Sequence, residues 1–428
     1  MNIKYVTLGC KVNQFETEAI REMMASLGHT ENPREKADVL IVNSCTVTGE
    51  GDKKTLKLFE RAKRENEGCI TVLTGCFPQA FPEKAHIFGA DIVTGTKNRK
   101  ALPELIMKAA EEKGKITYIE EHKIGEEFEE LSVSSFEGHS RAFMKIQDGC
   151  DRFCSYCIIP YARGHLRSRP LESIKAEAET LAKSGYKEIV LTGINLSFYG
   201  RENKMDIADA VLAVSECEGI ERIRLGSLQP DLIDEKIIKK FKKTDKLCPQ
   251  FHLSLQSGSD TVLKRMNRRY TTSLYKEVAE NLRKAFPNAS ITTDIIVGFP
   301  GESEAEFSET ERFVREIGFM KVHVFPYSKR SGTPAAEMEG QVPESIKNTR
   351  KKRLIAVAEK VREAEIKSEI GKTVKVLIET GKAFGKMVGY SENYTPVLIS
   401  PEGRLIGEIV EVIIEGYKEG YALGKIKT

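Results

Sequence analysis

Of the nine cysteines in this 428-residue chain, three fall within Gly-Cys-Asp-Arg-Phe-Cys-Ser-Tyr-Cys, residues 149–157. Cys150, Cys154 and Cys157 there have the spacing CxxxCxxC. Cysteines this close on one short loop compete for the same partner, which argues against a disulfide framework. They suit a loop that turns three sulfurs onto one centre. A four-iron cube held by three thiolates keeps one iron open, and an open iron can bind a small molecule through nitrogen and oxygen. Zinc is the competing reading. Structural zinc takes four protein ligands, and none lies at finger spacing; the nearest candidate, His165, stands eight residues on.

A second set of cysteines is spread over the first segment. Residues 2–8 read as a buried strand followed by Cys10, residues 38–43 as a strand followed by Cys45, and residues 70–75 as a strand followed by Cys76. Helical periodicity over 13–27 and 48–64 separates them. Strand–helix alternation predicts a parallel sheet wound with helices, whose crevice lies at the carboxyl ends of the strands. One cysteine arrives at that edge from each of three strands, so a second three-thiolate centre is expected from Cys10, Cys45 and Cys76. The bland alternative makes two of them core thiols. Cys69 opens the third strand at the far edge and reads as an ordinary buried thiol, and Cys217 and Cys248 read as structural.

These stretches carry a resemblance. TLGCKVNQFETE, VNSCTVT and LTGC, together with GCDRFCSYCIIPYARG, resemble the methylthiotransferases, a radical S-adenosylmethionine family, over essentially the whole chain. LGCKVNQ is most similar to the branch acting on N6-threonylcarbamoyladenosine in tRNA; the isopentenyladenosine and ribosomal-protein branches carry different residues after the first cysteine. The resemblance implies a tRNA methylthiotransferase working at C2 of that adenosine, position 37, 3′ of the anticodon. It implies two 4Fe-4S clusters and two S-adenosylmethionine molecules. Cys150, Cys154 and Cys157 would hold the cluster that reductively cleaves S-adenosylmethionine, giving a 5′-deoxyadenosyl radical that abstracts hydrogen from C2. Cys10, Cys45 and Cys76 would hold the auxiliary cluster that presents the sulfur, which a second S-adenosylmethionine methylates. An electron donor and a sulfur donor are required as partners, beside the tRNA.

From residue 142 onward, six strand-like runs (AFMKIQDG, EIVLTG, ERIRLGS, FHLSLQ, SITTDIIVGF, KVHVFPY) alternate with five helical ones. An open, partial (β/α)6 barrel is expected, with its site at the carboxyl ends of the strands. Gly193 and Asn195 after the second strand, Ser254 and Gln256 at the end of the fourth, and Gly298 and Gly301 after the fifth are the expected S-adenosylmethionine contacts. Each alone also fits an ordinary turn residue. For Asp294, an acid, a hydrogen-bonding group and a polar partner inside the barrel all remain open.

The full expectation is an α/β chain in pieces: a flavodoxin-like parallel sheet over 1–112 carrying the auxiliary cluster, a linker over 113–135, a radical S-adenosylmethionine core over 136–366, and a small β-barrel over 367–428 resembling the TRAM domain. The stretch 111–140 holds nine acidic residues against three Lys/Arg and reads as a solvated surface linker. The tail balances nine Lys/Arg against eight Asp/Glu, so shape or specific contacts would carry RNA recognition there. Basic runs at 236–246, 264–269 and 347–353 are compatible with phosphate contacts. A hydrophobic content of 40%, charged content of 30% and net charge of +3 read as a globular cytoplasmic protein without secretory signal or membrane span. Two other functions compete: the same chemistry on a ribosomal-protein aspartate, and a non-catalytic iron–sulfur RNA-binding sensor.

Overall fold

A computed structural model describes residues 1–112, 114–136, 138–400 and 405–427, so Lys113 of the expected linker, Glu137 of the expected core and residues 401–404 and 428 of the expected tail lie outside it. The chain forms two compact units. The first gathers Met1–Val133, Gln147–Arg169 and Ser328–Ala336; the second holds Ser134–Ile146, Pro170–Tyr327 and Glu337–Thr428.

In the first unit five parallel strands lie in sequence order: β1 (Ile3–Thr7), β2 (Val39–Ser44), β3 (Ile70–Gly75), β4 (Ile92–Thr94) and β5 (Ile116–Tyr118). Side chains alternate across a strand, and β2 shows the result. Leu40 and Val42 pack with Phe59, Phe77 and Phe81 on one face; Val39 and Ile41 pack with Ile20, Met24 and Ile106 on the other. Thus α1 (Lys11–Ser26) and α4 (Leu102–Glu112) cover one face, and α2 (Gly49–Glu65) and α3 (Cys76–Ala80) the other. The flavodoxin-like expectation holds for a parallel sheet covered on both sides. The strand order runs straight across, whereas a flavodoxin sheet reverses at a switch point. Strands β4 and β5 are short, three residues each, and their weak pattern hides them in the sequence.

The acidic stretch is not a purely solvated face. Glu126 pairs with Lys97 at 2.8 Å and His122 at 3.0 Å, and Glu129 accepts from the backbone N–H of Arg99 at 2.6 Å. Isolated carboxylates gain little at a surface, but these face cations already held by the first unit.

The second unit contains the six expected parallel strands: Ala142–Lys145, Glu188–Thr192, Arg222–Leu225, Gln250–Leu253, Ser290–Val297 and Lys321–Pro326. The third bends at Gly226 and resumes as Ser227–Leu228, dividing the ladder into sheets of three and four strands. Phe251 faces outward onto Phe241 and Phe286 of the helical layer, so its neighbour His252 faces the opposite side of the strand.

The tail is a closed barrel of five strands: Thr373–Ala383, Lys386–Ser391, Pro396–Ile399, Tyr421–Ile426 and Ile409–Lys418. Sequence reading found four of these; Lys386–Ser391 is broken by Gly389 and shows no clean alternation. Its end and the following turn pack against the amino-terminal ends of the parallel strands. Arg224 donates to the carbonyls of Glu392 at 2.8 Å and Ser391 at 2.7 Å, and Arg222 to that of Lys375 at 2.8 Å. Beneath them Glu188, fully buried, meets Arg224 at 2.8 Å, Arg141 at 3.2 Å and Arg222 at 3.6 Å. Arg141 also lies over the stacked rings of Tyr390 and Tyr394, 5.2 Å from each.

Burial alone would raise the Glu188 pKa, but Arg224, Arg141 and Arg222 outweigh it and hold the carboxyl at about 2. A carboxyl depressed in the folded state stabilises it above the ordinary value of 4.5, and that contribution fades as pH falls toward 2. Glu188→Gln leaves the arginines without their counter-charge and is expected to cost roughly 3–5 kcal/mol near neutral pH. Urea unfolding of both proteins should show this gap narrowing below pH 4.5; a gap independent of pH would contradict it.

Candidate functional site

Three strand ends of the first unit each deliver a cysteine, as the sequence predicts. Cys10 is the N-cap of α1, Cys45 follows β2 directly, and Cys76 opens α3. Helix N-termini favour a negative sulfur. Polar side chains stitch these ends together. Asn13 and Asn43 exchange hydrogen bonds, Asn13 Nδ2 to Asn43 Oδ1 at 3.2 Å and Asn43 Nδ2 to the Asn13 carbonyl at 3.0 Å. Ser44 Oγ donates to the Thr74 carbonyl at 2.7 Å. Gly9, at φ +123°, lets the Cys10 turn close onto the next: a Cβ on it would stand 2.8 Å from the Cβ of Cys45. Arg330, brought in by Ser328–Ala336, holds the Cys45 turn from outside, donating to Thr46 Oγ1 at 2.5 Å and Asp52 at 2.6 Å.

The three thiols grade from exposed Cys10 through half-buried Cys45 to buried Cys76. Burial pushes Cys45 up and Cys76 up to about 12; Cys10 adds to the rise at Cys45, Cys45 and Cys10 add to it at Cys76, and Arg163 pulls both down.

The loop 149–157 belongs to the same unit. Gly149, at φ +73°, crosses the chain so closely that a Cβ would lie 1.8 Å from the His165 carbonyl oxygen. The Cys150 N–H donates to the Gly164 carbonyl at 3.0 Å, and the Cys157 N–H to that of Cys154 at 2.9 Å. Phe153 takes φ +45°, which a bulky residue adopts only when its surroundings force it; here the turn carries the chain from Cys150 back to Cys154. The Ser155 carbonyl accepts from the Ala335 N–H at 2.7 Å. His165 pairs with Asp151 at 2.7 Å. Among the described residues no group of three His, Cys, Asp or Glu side chains is poised to hold a metal ion. The donors in each set are three cysteine sulfurs, soft ligands of the kind an iron–sulfur group takes.

Sequence reading missed the residues behind these thiols. Arg163, fully buried, ends the helix Ile159–Arg163 that follows Cys157, and its Nε lies 3.3 Å from Cys76 Sγ. Its Nη2 meets Glu16 at 3.0 Å, and Glu16 in turn meets Arg99 at 2.8 Å. Arg163 and Glu16 stand inside the quoted stretches YARG and QFETE; for Arg163 a charge beside Tyr161, Ala162 and Gly164 was the available signal, and for Glu16 there was none.

In the second unit the remaining expected residues sit at strand ends. Gly193 and Asn195 follow Glu188–Thr192. Ser254 follows Gln250–Leu253, and its carbonyl accepts from Tyr270 Oη at 2.6 Å. Gln256, at φ +69°, bridges to Ile295. Gly298 and Gly301 bracket the turn after Ser290–Val297. The Gly298 N–H donates to Glu302 at 2.6 Å, and a Cβ there would meet the Lys347 side chain at 2.4 Å, so this glycine also answers a packing need. Asp294 is a polar partner on the strand face that His252 shares, 3.2 Å from its Nε2. The basic runs are partly spent internally: Lys240 pairs with Asp206 and Asp209, Arg265 with Glu306, and Arg350 with Glu302. Lys236, Lys239, Lys242 and Lys243 stay exposed. No helix among the described residues is long and apolar enough to cross a membrane.

Residues 2–95 match the uncharacterized protein family UPF0004, 144–314 the radical SAM superfamily and 367–427 the TRAM domain. The threonylcarbamoyladenosine tRNA methylthiotransferase MtaB of Bacillus subtilis is 42% identical, over 98% of this chain and 94% of its own. That of Thermotoga maritima is 40% identical, over 97% and 95%. The tRNA-2-methylthio-N(6)-dimethylallyladenosine synthase of Clostridium novyi is 40% identical, over 87% and 84%. Among solved structures, the radical S-adenosylmethionine methyltransferase TsrM of Kitasatospora setae shares the fold at TM-score 0.58 and 15% identity, covering 78% of this chain and 74% of that one.

Gly149→Ala forces the loop off the His165 carbonyl. In metal-free protein, alkylation of Cys154, only 7% exposed, should accelerate by about tenfold or more as the loop opens. An unchanged rate would show that the crossing does not hold the loop.

Proposed function

The chain belongs to the tRNA methylthiotransferase family of radical S-adenosylmethionine enzymes, and from that premise we propose that it installs a methylthio group at C2 of N6-threonylcarbamoyladenosine in tRNA, in the cytoplasm. What supports this reading most directly is the gathering of Cys10, Cys45 and Cys76 at one edge of one sheet, in a unit that also contains the Cys150–Cys157 loop. An iron–sulfur sensor would need one such centre and no second open one.

Cys150, Cys154 and Cys157 would hold one 4Fe-4S cluster and Cys10, Cys45 and Cys76 the other; when bound, these with S-adenosylmethionine supply a carbon-centred radical, a sulfur atom and a methyl group. The protein's own part is positional. Cys10 caps α1 and Cys76 starts α3 at the carboxyl edge of the sheet. Asn13, Asn43 and Ser44 fix the spacing of the three strand ends. Arg330 restrains the Cys45 turn. Gly193, Asn195, Ser254, Gln256, Gly298 and Gly301 are the proposed S-adenosylmethionine contacts, consistent with the carboxyl-end location of sites on such strands. The adenosine must be splayed from its stack to be reached, which an anticodon loop allows. The tail barrel, of near-balanced charge, would read RNA by shape. An external electron donor and a sulfur donor complete the reaction.

Anaerobically reconstituted protein should hold about eight irons per chain. Alanine at Cys150, Cys154 or Cys157 should abolish release of 5′-deoxyadenosine; undiminished release would count against that loop. Alanine at Cys10, Cys45 or Cys76 should leave release intact and eliminate methylthiolated product; product from such a variant would remove the sulfur role. Mass spectrometry of tRNA nucleosides from cells lacking the protein should show loss of the methylthio form of N6-threonylcarbamoyladenosine. Loss of the methylthio isopentenyl nucleoside instead would move the chain to the other tRNA branch.

A further inference from the structure

Arg163 follows one set of thiols in sequence and touches the other in space. Its Nη2 lies 3.0 Å from Glu16 Oε2 and 3.4 Å from Asn13 Oδ1, and its Nη1 contacts Glu16 Oε1 and lies 3.4 Å from Asp148. Asn13 Oδ1 is also 3.3 Å from Cys10 Sγ. A purely structural arginine would be satisfied by Glu16, whose two oxygens take both terminal nitrogens in the bidentate pattern. The remaining donor, Nε–H, is spent on sulfur, 3.3 Å from Cys76 Sγ in a fully buried setting. Donors aimed at cluster sulfurs, and the charge around them, set how readily such a centre is reduced.

The methylthio transfer gives that donor a task. A carbon radical bonding to sulfur held on iron contributes one electron, and one comes from the iron–sulfur pair. The other electron of that pair would stay on the irons, so the cluster would be reduced by one electron as the sulfur leaves; the total charge of the site is unchanged and no further oxidant or reductant is needed. We propose that Arg163 is a positioning residue that favours the reduced state of the Cys10–Cys45–Cys76 site through its Nε–H contact with Cys76, making that site easier to reduce than its thiols alone would be. The inference rests on the reading above that these cysteines hold a cluster. It also ties the two sets of thiols mechanically, because the guanidinium is carried on the helix that follows Cys157.

The test uses full-length protein with Cys150, Cys154 and Cys157 changed to Ala, reconstituted anaerobically so that only one site loads, and followed by electron paramagnetic resonance through a reductive titration. Arg163→Lys keeps the charge and loses the guanidinium fork. The paired change Glu16→Gln with Arg163→Gln removes both buried charges together, avoiding an orphaned carboxylate. The paired variant should keep about four irons and titrate at a more negative midpoint than its parent, with Arg163→Lys between them. Midpoints equal to the parent in both variants overturn the inference. If the paired variant loses its iron, the Arg163→Lys midpoint decides on the same scale. A parent that binds no iron overturns the underlying cluster assignment, and the inference with it.

Discussion

The first unit depends on a buried ion pair between Arg163 and Glu16, both at 0% side-chain exposure. Such pairs stabilise a fold weakly, because desolvation consumes most of the Coulomb gain, yet breaking one is costly. Their value lies in specificity. Glu16 is in α1, the helix capped by Cys10; Arg163 ends the helix after Cys157; Arg99, on the connection before α4, closes the network on Glu16. Three segments distant in sequence meet at one carboxylate. Shifting any of them leaves a buried charge without its partner, so the network permits one arrangement of the two sets of thiols.

The second unit repeats the device with different parts. Glu188 lies beneath Arg141, Arg222 and Arg224, and these reach on to the backbone and tyrosine rings of the tail barrel. Both networks centre on a fully buried glutamate held by two or three guanidinium groups, whose planar forks bind carboxylate and carbonyl oxygens at fixed angles. The tail, the stretch that matches the TRAM domain, therefore closes one end of the parallel strands.

Much of this was legible in the sequence. The strands before Cys45 and Cys76, and Glu188–Thr192 of the second unit, are nearly continuous apolar runs, the pattern of strands buried on both faces, while Lys321–Pro326 carries the alternating signal. What escaped has a common cause. Strands β4 and β5 are short and Lys386–Ser391 is broken by Gly389, so all three owe their state to neighbours already in place. The acidic stretch reads as solvated because the cations it meets, Lys97 and Arg99, are some 30 residues earlier. Arg163 looked like a motif letter because a buried charge is intelligible only beside its counter-charge, 147 positions away.

The first unit is assembled from three separate stretches, of which the last is Ser328–Ala336. A ribosome releases this chain from the amino terminus, and domains tend to fold as they emerge. This one has to wait. Until Arg163 is synthesised Glu16 has only Arg99 as its guanidinium partner, and until Arg330 follows, the Cys45 turn lacks its outer restraint. The amino-terminal sheet therefore completes its ion pairs only late in translation.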